Sequence, residues 1–386
     1  MTTPTLESKL PHVGTTIFTV MSRLAEQTGA LNLGQGFPDF EPPAAFGDAL
    51  SRHVKAGRNQ YAPMAGVPRL KDQIARKLSR DYGCALEADA SITVTDGATE
   101  GLFDAITAVV RPGDEVIVFD PCYDSYEPAV LLSGGRVRHL ALDASFRIDW
   151  QRLKDAINPL TRLIIVNFPN NPSGALLSAS DLETLNELTR DTGVFVISDE
   201  VYEHIVYDGQ AHQSLLRHAE LLERSFVVGS FGKAFHTTGW KVGWVAAPPA
   251  LTTELHRVHQ FVTFSTSTAA QHAFADLLEE HAGLLSGVSP FYQEKRDRFR
   301  RLLAPSRFRL LPVAGTYFQL ADYSELSDEP DLDFARRLTT EAGVTVIPVS
   351  PFYSSPPRQH IIRFCFAKND ATLERATARL CALERL

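Results

Sequence analysis

Lys233 has the most unusual setting of any lysine in this chain. It closes Ser230-Phe231-Gly232-Lys233 after the apolar run SFVVG, and it precedes a glycine-containing stretch, GWKVGW, that holds a second lysine, Lys241. Most lysines are solvated surface groups. An amine set between a buried strand and a glycine-rich turn is desolvated instead, which lowers its pKa. A lowered pKa is what a Schiff-base lysine requires. Two cations in one such segment suggest a covalent role for Lys233 and an anion-pairing role for Lys241.

Other reactive side chains stand at the ends of apolar runs. Asp199 ends VFVISDE, where a carboxylate is costly unless paired. A protonated pyridine nitrogen would serve as its partner; capping of the next helix is the rival reading. Tyr202, three residues on, can reach an oxygen on the same ring. VTDGATEGLF reads as strand, then Gly97, Ala98 and Thr99, then helix. Free N–H groups and the helix dipole at such a start hold a phosphate without a basic side chain, unless Thr99 is merely an N-cap. Asn171 in NFPNNPSG can donate to the ring oxygen, although Asn before Pro also begins ordinary turns. Tyr123 in DPCYDSY suits stacking on a planar group, or plain packing. Arg363 lies inside the apolar run HIIRFCFAK. It reads as a bidentate clamp for a substrate carboxylate or as half of a structural salt bridge.

The elements that position these residues follow from the pattern. Residues 1–45 form an arm of mixed polarity. From about 46, apolar runs of four to seven residues (SITVTD, DEVIVFD, RLIIVNF, VFVISD, SFVVGS and VGWVAAP) alternate with helical candidates such as 99–110 and 178–192. Runs apolar at every position are strands buried on both faces of a parallel sheet, so the class is α/β. A long helix is expected around 251–279. Strands in FRLLPVAGTYFQLAD, TVIPVS and HIIRFCFAK, with helices near 331–342 and 370–383, make a second, smaller α/β unit. We expect an arm at 1–45 joining that smaller unit, a large domain at 46–288 and a small domain at 289–386. Ligands of open parallel sheets sit outside the carboxyl ends of the strands, where the residues above gather.

Composition excludes several classes. A net charge of −8 over 386 residues leaves no basic excess for nucleic acid. Cys84, Cys122, Cys365 and Cys381 are far apart, as reduced intracellular thiols are. No signal peptide or membrane span is visible, and a cytoplasmic location is expected. Gly34-Gln35-Gly36 lacks the strand–helix setting of a dinucleotide fingerprint, and Ala234 after Gly232-Lys233 rules out a P-loop. His256 and His259 share a helix face but have no metal motif, so no metal is expected and both are read as solvated.

Together the segments SFGKAFHTTGWKVGW, ISDEVYEH and NFPNNPSG resemble the fold-type I pyridoxal-phosphate enzymes, specifically the class I/II aminotransferases, over essentially the whole chain. NLGQGFPDF, NQYAPMAG and FDPCYDSYEP resemble the subgroup of kynurenine/glutamine-type and bacterial methionine aminotransferases, the latter most. The resemblance implies a large domain on a mostly parallel sheet and a smaller α/β C-terminal domain. It makes Lys233 the covalent attachment point and proton shuttle, and Asp199 the partner of the pyridine nitrogen. Tyr202 and Asn171 then bind the ring oxygen and Tyr123 stacks. Gly97, Ala98, Thr99, Ser230 and Lys241 form the phosphate cup, and Tyr61 reaches a partner's phosphate across a homodimer interface. Gly36, Asn171 and Arg363 hold the substrate carboxylate.

Eukaryotic kynurenine-type members carry Tyr at the position of Ala98 and His at that of Ser265. The smaller residues here, with Ile17, Phe37 and Phe264 nearby, suit a flexible apolar side chain such as methionine's. The implied reaction is ping-pong transfer of an amino group from an L-amino acid to a 2-oxo acid. A carbon–sulfur β-lyase on the same scaffold is the alternative. A non-catalytic regulator would need an added DNA-binding domain, for which the chain before residue 46 leaves no room.

Overall fold

The computed structural model describes residues 6–384. Its strands, in chain order, begin with β1 (Leu31–Asn32), β2 (Ile92–Asp96), β3 (Glu115–Asp120), β4 (Arg136–Ala141), β5 (Thr161–Asn167) and β6 (Phe195–Asp199). There follow β7 (Ser225–Ser230), β8 (Val242–Ala246), β9 (Arg309–Leu310), β10 (Phe318–Asp322), β11 (Val344–Thr345), β12 (Ile347–Pro348) and β13 (Ile361–Cys365).

Seven of them form one sheet in the order β2-β8-β7-β6-β5-β3-β4. Every neighbouring pair is parallel except those of β8, which runs antiparallel to both β2 and β7. In β5, Leu163, Ile164, Ile165 and Val166 are all buried. Their side chains alternate between two apolar clusters, one on each face of the sheet. Burying each such side chain is worth about 1.5–3 kcal/mol, so a run apolar at every position is stable only in the middle of such a sandwich. The helices Gly97–Val109, Tyr126–Leu132 and Ala179–Thr189 lie on the connections between strands. Because β2, β3, β5, β6 and β7 point the same way, Gly97, Tyr123, Asn171, Asp199 and Lys233 all emerge at one edge.

A second sheet, β12-β13-β10-β9, is antiparallel. Within it Arg363 of β13 lies opposite Leu320 of β10 and Ile347 of β12. The N-terminal stretch is more regular than its composition suggests. It contains the helix Ile17–Thr28, capped by Thr16 and stopped by the left-handed Gly29 at φ 64°. Next, β1 pairs in parallel with β11, carrying residues 33–37 to Arg363.

The expected helix at 251–279 is instead two, Pro249–Val262 and Thr268–Glu280. Between them Phe264 takes a left-handed φ of 69°, and Ser267 caps the second helix by accepting from the Ala270 N–H. The run TFSTST carried that signal, since Ser and Thr favour caps over helix interiors. The helix placed at 178–192 is shorter, Ala179–Thr189, with Ser178 and Asp181 forming a capping box. Among the described residues no helix is long and apolar enough to cross a membrane.

Candidate active site

A cleft of about 780 Å³, open to solvent, lies outside the carboxyl ends of β2, β5, β6 and β7. Its wall brings together Gly97, Ala98, Thr99, Tyr123, Asn171, Asp199, Tyr202, Ser230, Lys233 and Lys241. Ten of the sequence candidates therefore share one cavity.

Lys233 sits in a four-residue helical turn, Phe231–Ala234, that begins where β7 ends; Ser230 caps it by accepting the Gly232 N–H at 3.2 Å. Burial lowers the Lys233 pKa to about 8, although the Cys365 thiol and the Asp199 carboxylate pull it up again. Its Nζ lies 5.6 Å and 5.9 Å from the ring centres of Tyr202 and Tyr317. This is a desolvated amine able to act as a nucleophile near neutral pH.

Asp199, at the end of β6, is buried, and burial raises its pKa to about 6. Against that, the Tyr126 hydroxyl donates to its Oδ2 at 2.6 Å, and the Val201 N–H reaches Oδ1 at 3.4 Å. Asp199 caps no helix, so its carboxylate is stabilised by one good hydrogen bond and needs a cationic partner. Sequence reasoning passed over Tyr126. It also missed Asn167, which lines the cleft, donates to the Asp199 carbonyl at 3.0 Å and accepts the Asn171 N–H at 3.1 Å.

Gly97 opens the Gly97–Val109 helix in the left-handed region at φ 74°, a conformation costly for other residues. A Cβ there would stand 3.3 Å from the Lys241 Nζ. The free N–H groups of this first turn and the Lys241 ammonium therefore face the same corner, a ready anion site.

Arg363 is fully buried. Its Nη1 donates to Asn171 Oδ1 at 2.8 Å and its Nη2 to the Gly34 carbonyl at 2.9 Å, while Nε has no partner. Among the described residues no carboxylate lies within ion-pair distance of it, so the salt-bridge reading fails. The rings of Phe318, Phe18 and Phe352 surround the guanidinium at 3.9, 5.1 and 5.6 Å. Burial brings its pKa down to about 10, which leaves it charged at neutral pH. A buried cation without an anion is expensive, and a bound carboxylate removes that cost. Gly36 is adjacent: a Cβ on it would sit 4.0 Å from Arg363 Nη2, and its carbonyl accepts the Tyr317 hydroxyl at 2.6 Å.

Arg363 adjoins the cleft through Asn171, with Gly36 beside it, whereas Tyr61 lies apart from the cleft. Tyr61 is 84% exposed and meets Phe264 edge-on at 5.5 Å. His259, read as solvated, is fully buried and bonded to Glu100 and Asp104. His256 is half-buried and bonded to the Thr93 hydroxyl at 2.8 Å.

A low-pKa amine, a buried carboxylate, an aromatic wall, a helix start beside a lysine and a free guanidinium fit pyridoxal phosphate and the carboxylate of an amino acid. Comparison with known proteins agrees. Residues 28–380 match the family described as aminotransferase class I and II. The chain is 50% identical to the methionine aminotransferase of Escherichia coli K12, over 97% of each sequence. It is 35% identical to mouse kynurenine–oxoglutarate transaminase 1, over 94% of this chain and 93% of that one. The crystal structure of YbdL from Escherichia coli, reported with a methionine aminotransferase function, superposes with a TM-score of 0.97 at 49% identity, covering 99% of this chain and all of that one. The chain belongs to the class I and II aminotransferases and is a pyridoxal-phosphate-dependent transaminase of fold type I.

Proposed function

We propose that this enzyme moves the amino group of L-methionine, or of another large apolar or aromatic L-amino acid, to a 2-oxo acid in a ping-pong cycle. The observation that carries the reading is Arg363, a buried cation with free donors and no carboxylate of its own, hydrogen-bonded to Asn171 on the wall of the Lys233 cleft. A substrate α-carboxylate supplies the missing anion, and the phenylalanine rings around the guanidinium make an apolar flank for the side chain. Of the further apolar candidates, Phe37 and Phe264 are exposed, Phe264 against Tyr61, while Ile17 adjoins Phe18 at the start of its helix. The name of the Escherichia coli relative supports methionine as donor. The relatives cited are aminotransferases by name, which supports transamination.

Pyridoxal phosphate, when bound, supplies an electron sink that acidifies the substrate Cα–H. Lys233 would hold it covalently, and its free amine would carry the proton away from Cα. Asp199 keeps the ring nitrogen protonated. Asn171 gives its amide oxygen to Arg363, which leaves its N–H groups for the ring oxygen alongside the Tyr202 hydroxyl. Tyr123, on the cleft wall, would pack on the ring. Gly97, Ala98, Thr99, Ser230 and Lys241 hold the phosphate, and Gly36, Asn171 and Arg363 the carboxylate.

The enzyme works as a cytoplasmic homodimer in this reading, with Tyr61 completing the phosphate site of a second copy. Tyr61, Trp240, Phe261 and Phe264 are exposed apolar residues, as an interface requires. An arm at 1–45, a large domain at 46–288 and a small domain at 289–386 fit the separation of the two sheets. A donor panel with a fixed 2-oxo acid tests the substrate class. Methionine should exceed aspartate in kcat/KM by at least about 10-fold; a preference for aspartate would refute the apolar pocket.

A further inference from the structure

The cycle described above gives His259 no task, yet it is among the most tightly held side chains in the molecule. It lies near the end of the Pro249–Val262 helix, fully buried. Its Nε2 faces the carbonyl of Met64 at 3.0 Å, and its Nδ1 faces Glu100 Oε1 at 2.5 Å and Asp104 Oδ2 at 3.2 Å. A carbonyl only accepts, so Nε2 carries a proton. Two acids face Nδ1; burial pushes Asp104 up to about 8, so Glu100 is the carboxylate that accepts a proton from Nδ1, and the ring is an imidazolium. The bonds to Asp104 and Glu100 raise the His259 pKa even though burial opposes the charge.

What the ring connects gives it a role. Glu100 stands in the first turn of the Gly97–Val109 helix, and its Oε2 accepts the Asp96 N–H at 2.6 Å, immediately before Gly97. Met64 belongs to the 60–67 segment. That segment is also tied down where Val94 N–H donates to the Ala65 carbonyl at 3.0 Å and Val67 N–H donates to Gln271 Oε1 at 2.7 Å. The main chain of His259 holds the turn that follows, its carbonyl accepting from Thr263 at 3.1 Å and Phe264 at 3.0 Å. From there Thr266 reaches back to Asp96 Oδ1 at 3.3 Å. One buried histidine therefore joins the helix start and the 60–67 segment through its ring, and the 263–267 turn through its main chain.

We propose that His259 is a positioning residue for the cofactor phosphate, clamping the start of the Gly97–Val109 helix to the 60–67 segment so that its first N–H groups stay aimed at the phosphate. The proposal rests on the reading of Gly97, Ala98 and Thr99 as the phosphate cup. Backbone donors bind an anion well only when a surrounding shell fixes their direction. Here a charged hydrogen-bond bridge adds to the apolar packing of Leu102, Ala105 and Ile106 along the same helix.

The test compares pyridoxal 5′-phosphate with pyridoxal, which differs only in lacking the phosphate. Each is titrated into purified enzyme stripped of cofactor, followed by the visible absorbance of the attached aldehyde. His259→Gln keeps a donor for Met64 and loses the one for Glu100; His259→Asn does the reverse. In both, the preference for the phosphorylated form should fall by about 10-fold or more, the worth of one charge-assisted hydrogen bond, with pyridoxal binding little changed. An unchanged preference would overturn the proposal, because a merely structural role weakens both compounds alike. A wild-type enzyme with no preference would instead refute the phosphate-cup reading itself. Should the His259 variants not fold, Glu100→Gln removes the opposing carboxylate and is read by the same ratio.

Discussion

Replacing Arg363 with lysine separates charge from geometry at the carboxylate site. The guanidinium plane is fixed by donation to Asn171 Oδ1 at 2.8 Å and to the Gly34 carbonyl at 2.9 Å, with the Phe318 ring 3.9 Å from its centre. Of five N–H donors, those two contacts leave enough for a bidentate bond to a substrate carboxylate. A lysine ammonium keeps the charge but is a single point with no fork. It cannot satisfy Asn171, Gly34 and both carboxylate oxygens together. Losing one charge-assisted hydrogen bond, about 1.5–3 kcal/mol, corresponds to a roughly 10- to 150-fold fall in kcat/KM. The assay follows the half-reaction with L-methionine and with 3-(methylthio)propylamine, which has the same side chain and no carboxylate. Arg363→Lys should lose activity toward methionine by that factor and leave the amine nearly unaffected. Equal losses on both, or unchanged affinity for methionine, would remove Arg363 from the carboxylate site.

Three further outcomes are expected. Lys233→Ala should abolish the visible absorbance of the covalently held cofactor and nearly all turnover; persistence of that band would refute the assignment. Tyr126→Phe removes the phenol that stabilises ionised Asp199, whose pKa already stands at about 6. That pKa should rise by about one unit or more, so activity lost on acidification disappears at a higher pH, and an unmoved acid limb would contradict the role. In the stripped enzyme the Lys233 pKa of about 8 leaves the amine mostly protonated below that pH. Cofactor attachment should therefore quicken about 10-fold per pH unit up to about pH 8 and then level off; a rate independent of pH would contradict a titrating nucleophile.

The chemistry was most legible where a residue type clashed with its local pattern. Lys233, Asp199 and Arg363 are charged groups in or beside apolar strands, and such a conflict has few resolutions other than a partner. Tyr126, Asn167 and Tyr317 carry no such conflict. An aromatic or an amide beside a strand end is ordinary, and only the assembled sheet shows that Tyr126 meets Asp199 across 73 residues. His259 was misread for the same reason: Glu100 and Asp104 lie 159 and 155 residues away, beyond any local pattern. The break at 263–267 is different in kind, because its Ser and Thr run was visible and lost to the apolar periodicity on either side. Tyr61 stood out only through the family resemblance, and within one chain nothing but its exposure and its contact with Phe264 marks it.

The most direct test of transamination is a single turnover of the cofactor-loaded enzyme with L-methionine and no 2-oxo acid, recording the visible spectrum and ammonia together. Loss of the cofactor-lysine band, with one 2-oxo acid formed per site and no ammonia, is the predicted result. A persistent band with continuing ammonia release would contradict it and make the enzyme a lyase.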